Sequence, residues 1–135
     1  MAIPSSIAQR IAHDILSNND GILAISIMDM RGNFLAATSK ESFKEDFGVS
    51  RDGEKYGGSL AVAALAVANE LKDLAGEAQA LITIYKKCKM MLLPVPSREI
   101  LVGFVLQRSA NAEDYYSIAN KIEKLLTDAI ESSSQ

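Results

Sequence analysis

GGSLAVAALAVANELKDLAG, residues 57–76, decides how the rest of the chain must fold. Ala, Leu and Val favour a helix here, Ser59 is placed to cap its first turn, and Gly76 sits where a left-handed stop belongs. At 3.6 residues per turn, Leu60, Ala64, Val67, Leu71 and Leu74 form one stripe, while Val62, Leu65, Ala66 and Asn69 carry apolar surface onto a neighbouring face. A helix apolar over most of its circumference needs cover on more than one side. At about 27 Å it is too short and too Ala-rich to span a bilayer. One cover is the chain's own sheet. The small residues Ala61, Ala64 and Ala68 would let a second backbone approach the other side, and a second copy of the same helix is the expected occupant.

Working outward, Ser6 followed by Gln9 predicts a capping box, and Ile7, Ala8, Ile11, Ala12 and Ile15 mark one face of a first helix. Residues 22–28 are apolar on both alternating faces, as in a strand covered on both sides. Asp29 to Asn33 supplies a hairpin turn, and residues 34–38 supply the return strand. Residues 78–85 read as a third strand, Lys86 to Lys89 as a tight turn, and residues 90–93 as a fourth strand, ended by Pro94 and Pro96, which cannot donate to a ladder. Residues 100–106 form another doubly apolar strand, with Gly103 marking close packing or a bulge. Asn111 caps a last helix whose stripe is Tyr115, Ile118, Ala119, Ile122, Leu125, Leu126 and Ala129.

The order is helix, two strands, helix, three strands, helix. This predicts an α+β fold, αββαβββα, with a five-stranded antiparallel sheet in a three-layer α/β/α arrangement, and residues 1–135 as a single domain.

Composition narrows the function. A net charge of −3 and a pI near 5.1 leave no basic stripe to neutralise phosphates, so nucleic acid is not an expected partner. No apolar run reaches membrane length and no cleavable leader is visible, so membrane insertion is not expected and a cytoplasmic location is. The single His13 lies with Arg10 and Asp14 on the polar side of the first helix, and the single Cys88 reads as a turn thiol between lysines. Gly57-Gly58-Ser59 lacks the Lys and spacing of a phosphate loop. The expectation is therefore no catalytic residue, no metal and no cofactor. Residues 39–56 form a long charged connection in which Phe43 and Phe47, four apart, would share one side of a short helix.

The hairpin ISIMDMRGNFLAA, the segment MMLLPVPSREILVGFVLQRSANAEDYYSIANKIEKLL and the order of elements together resemble the Roadblock/dynein light chain family, which has a profilin-like fold. The resemblance implies a homodimer in which the central helix and the following strand pair across a twofold axis. The expected interface is Leu60, Ala61, Ala64, Leu65, Val67, Ala68 and Leu71 on the helix, with Thr83 and Tyr85 on the strand. It also implies a platform for, or regulator of, a Ras-like small GTPase, with no chemistry of its own. The alternative is a small-molecule sensor of PAS, GAF or Cache type, with residues 39–56 as a lid and Phe43, Phe47, Arg51 and Tyr56 at the ligand or partner segment.

Overall fold

The structure is a computed structural model that describes residues 3–43 and 61–133. Helix α1 spans Ser5–Ser17, strand β1 Ile22–Asp29 and strand β2 Phe34–Ser39. Residues 61–68 form helix α2, continued by a 3-10 turn, Asn69–Leu71, and one turn of helix α3, Lys72–Ala75. Strands β3, Leu81–Ile84, β4, Cys88–Val95, and β5, Ile100–Gln107, precede helix α4, Ile118–Ser133. The sheet order is β2-β1-β5-β4-β3, and every neighbouring pair is antiparallel, as the order of elements predicted.

The two apolar faces of β1 and β5 have different covers. Ile25, Ile27, Met91, Leu93, Val95, Ile100, Val102 and Phe104 point to one side, where Ile11 and Ile15 of α1 and Ile118, Ile122 and Leu126 of α4 complete the main core. Met28, Leu92 and Leu101 point to the other, against Ala61, Val62 and Leu65 of α2. Each fully buried aliphatic side chain contributes about 2 kcal/mol. The side with α1 and α4 therefore dominates folding, and α2 is held by a much thinner set of contacts.

Local chemistry accounts for the boundaries. Asp29 Oδ1 accepts from the N–H groups of Arg31 at 2.8 Å and Asn33 at 2.9 Å, and Gly32 takes φ +86°, which closes the β1–β2 turn as expected. The capping box expected at Ser6 and Gln9 is absent: α1 follows Pro4 with no side-chain cap, and the Gln9 amide is engaged with Ala37 of β2 instead. At the other end of α1, Asn18 and Asn19 donate side-chain N–H to the Asp14 and Ile15 carbonyls at 2.8 and 2.7 Å, so orphan carbonyls of the last turn are satisfied.

Two expected strand limits change. Strand β4 starts at Cys88, paired with Gln107, and runs through Pro94, paired with Leu101. The Tyr85 N–H donates to the Cys88 carbonyl at 2.8 Å, so the backbone groups of Cys88, Met90, Leu92 and Pro94 all face the β3 side by alternation. Strand β3 reaches only as far as Leu92, so Pro94 has no ladder bond to forgo. Asn111 also caps a different element from the one expected, its side chain accepting from Glu113 N–H at the 3-10 turn Ala112–Tyr115 that precedes α4.

Candidate interaction surface

The single helix expected over residues 57–76 is interrupted. Asn69 Oδ1 accepts the Ala78 N–H at 3.0 Å, tying the returning chain to the helix where it tightens into the Asn69–Leu71 turn. Gly76 then ends α3 at φ +83°, ψ +175°, a conformation open essentially to glycine.

Within this helical stretch, Ala61, Val62 and Leu65 turn toward the sheet, and Ala68 is half-buried. Ala64, Val67, Leu71 and Leu74 turn away from it. Val67 is 70% exposed, Leu71 63% and Leu74 87%. Ala64 and Val67 lie on α2, Leu71 closes the 3-10 turn and Leu74 lies on α3, so three successive short elements contribute to this exposed apolar surface. Leu60 lies outside the described residues.

Strand β3 borders this surface at the edge of the sheet. Directly opposed residues share a face, so Leu81, Thr83 and Tyr85 lie on the α2 side. Ile82, opposite Met91, lies on the α4 side. Thr83 is exposed and Tyr85 is 48% exposed. Because the Tyr85 N–H points to β4, alternation turns the backbone groups of Ile82 and Ile84 to the open side of the sheet. Ala64, Val67 and Leu71 are thus exposed along this helical stretch, and Thr83 on the edge strand and Tyr85 just past it are exposed as well.

The remaining candidates lie elsewhere. His13 is exposed. Cys88 is buried at the start of β4, and burial pushes its thiol above the usual value, which corrects its expected place in a turn. Desolvation is the cause of that rise. Phe43 is half-buried, whereas Phe47, Arg51 and Tyr56 lie outside the described residues. Among the described residues no group of three His, Cys, Asp or Glu could hold a metal ion, and no helix is long and apolar enough to cross a membrane. Ile82, Ile84 and Tyr116, exposed here, are absent from the sequence reading. The signal for the isoleucines was the tetrapeptide LITI, apolar in both parities of a strand that only one helix layer covers.

No family model matches the sequence, and no curated protein matches it either. Solved structures do match in fold. The gliding protein MglB from Thermus thermophilus superposes with TM-score 0.71 at 15% identity over 98% of this chain and 94% of that one. An MglB described as having a tetrameric arrangement gives TM-score 0.72 at 14% identity over 96% and 94%. A Roadblock/LC7 domain from Streptomyces avermitilis gives 0.67 at 8% identity over 94% and 98%. The fold is that of Roadblock/LC7 domains, as the resemblance implied.

Proposed function

We propose that the protein is a non-enzymatic homodimeric interaction module whose two copies join through β3 and the outward stripe of α2 and α3, and that it serves a Ras-like small GTPase as platform or regulator. The observation that carries the dimer is the adjacency of an open strand edge, Ile82 and Ile84, to an exposed seam, Ala64, Val67, Leu71 and Leu74. Strand addition supplies backbone hydrogen bonds, and the seam supplies apolar burial. In this arrangement Ala61, Leu65 and Ala68 back or flank the contact, and Thr83 and Tyr85 meet it from the strand. The MglB structure with a tetrameric arrangement supports self-assembly on this fold. The GTPase role rests on the resemblance to the Roadblock family.

The sensor reading requires a cavity beneath residues 39–56. Two clefts formed by described residues, about 490 and 240 Å³, are lined by other segments, and residues 44–56 lie outside the described residues. Sedimentation of the purified protein at tens of micromolar tests the dimer, and a monomer at that concentration overturns it. Capture by a small GTPase loaded with a GTP analogue, compared with the GDP form, tests the partner class; equal absence of binding to both overturns that part alone.

A further inference from the structure

The helical layer on the α4 side of the sheet stops short of its edge. Helix α1 sits over β1 and β2, and α4 runs over β4, whereas among the described residues no helix packs as extensively on that face of β3. A cleft of about 490 Å³ fills the gap, with Ala80, Leu93 and Val95 in its floor and Tyr116, Ala119 and Glu123 of α4 and its approach as its wall. Ala80 packs toward the α4-side core, so Ile82 and Ile84, two and four residues on, continue the same floor. They are 39% and 61% exposed. From Ala80 to Ile84 the floor runs about 13 Å, and with the cleft below it offers about three turns of helix a bed.

The two ends of this groove differ in charge. Ile84 is opposite Lys89, whose Nζ donates to the Ala110 carbonyl at 2.6 Å and so draws the lysine stem across the upper end. The exposed Lys86 and Lys87 follow directly on the hairpin tip. At the α4 wall the charged residue is Glu123. An apolar bed with a cationic end selects an occupant that is apolar on one side and acidic at one end.

We infer that this groove docks an amphipathic helix of a partner protein, its apolar stripe on Ala80, Ile82 and Ile84 and its acidic end at Lys86 and Lys87. Ile82 and Ile84 give their side chains to this floor and their outward backbone groups to the proposed pairing of β3. The groove lies on the opposite face of the sheet from the α2 seam.

The test is a display library of sixteen-residue amphipathic helices with randomised charged positions, selected against the full-length protein. Enriched peptides are then synthesised and titrated by fluorescence anisotropy. The expected result is enrichment of acidic residues at one end of the helix, at least tenfold weaker binding to Ile84→Glu, and preference for basic-ended peptides in the Lys86→Glu/Lys87→Glu variant. Leu74→Glu, on the α2 side, should bind the peptides as the parent does, even if it alters self-association. Failure to enrich any peptide, enrichment without charge asymmetry, binding indifferent to Ile84→Glu, or occupation of the groove only by a second copy of the chain would each overturn the inference. Circular dichroism of Ile84→Glu confirms that the fold persists, and Tyr116→Ala provides an independent lesion in the opposite wall, with weakened binding expected and unchanged binding again overturning it.

Discussion

Gln9 of α1 and Ala37 of β2 make a two-way amide pair: Gln9 Nε2 donates to the Ala37 carbonyl and the Ala37 N–H donates to Gln9 Oε1, both at 3.3 Å. The side chain imitates a neighbouring strand and occupies the outer edge of β2 at its centre. Gln9→Ala should lower stability by about 1 kcal/mol, the net worth of exposed hydrogen bonds of this kind, and should increase association through β2, because an unpaired edge recruits other strands. Urea denaturation reads the first effect and concentration-dependent light scattering the second.

Gly103 faces Ser26 across the β1–β5 ladder. A Cβ at Gly103 would meet Ser26 Oγ at 2.8 Å and Met28 Cε at 3.3 Å. Gly103→Ala should therefore destabilise the protein by about 1–3 kcal/mol through overpacking. Adding Ser26→Ala removes the nearer atom, so the double variant should recover at least half of that loss, a non-additivity that a double-mutant cycle measures.

Two groups set the alkaline limb of stability. Burial raises the Cys88 thiol above its ordinary value of 9.0. Burial, followed by the nearby charges of Asp114 and Asp20, raises the Tyr115 phenol above 10.0. In both cases the folded protein holds the proton longer than the unfolded chain, so the stabilisation is present below the ordinary value and is lost as pH rises through the folded one. Stability should start to fall above about pH 9. Cys88→Ala should remove the earlier part of the decline in pH-dependent urea unfolding, and the native thiol should react slowly with a disulfide reagent until the chain is unfolded.

Asp29 behaves oppositely. The Asn33 backbone N–H is the main cause of its lowered pKa, with burial opposing and the Asn33 side chain and Arg31 assisting. Its contribution is present above 3.8 and is lost as pH falls through the lower folded value. The stability difference between the parent and Asp29→Asn should therefore be seen at pH 7 and close on acidification, and a difference constant down to the acid transition would contradict the assignment.

Ala64 is exposed in the single chain, and Glu is a good helix former. Ala64→Glu should leave the monomer folded while placing a carboxylate in the proposed seam, where an unpaired buried charge costs about 3–5 kcal/mol. The expected result is a shift from dimer to monomer at tens of micromolar in sedimentation, with an unchanged circular dichroism spectrum.

The strands β1 and β5 were legible because Ile, Val and Leu fill both parities, and the Asp29–Asn33 turn because its residues act locally. Cys88 was misplaced because its lysine neighbours look like a turn in isolation, whereas its pairing with Gln107 comes from a strand almost twenty residues away. The break at Asn69 depends on Ala78, and the use of Gln9 depends on Ala37, so neither could be read from propensity alone. The surface candidates followed the same rule: the outward stripe was visible in helical spacing, but only the sheet order reveals that β3 is an edge and that Ile82 faces the α4 side.

Pro94 and Pro96 line the corner where β4 outruns β3, and neither offers an N–H to an incoming strand. The two outer margins of the sheet are unequal: the Gln9 amide occupies the centre of the β2 edge, whereas the β3 edge is receptive along Ile82 and Ile84 and is bounded by the prolines beyond Leu92. A sheet with two receptive margins can extend without limit into a filament, whereas a body with one can only close on a single counterpart. The Gln9 plug on β2 therefore limits growth through the sheet to a pair, and its loss would risk turning a finite assembly into a fibre.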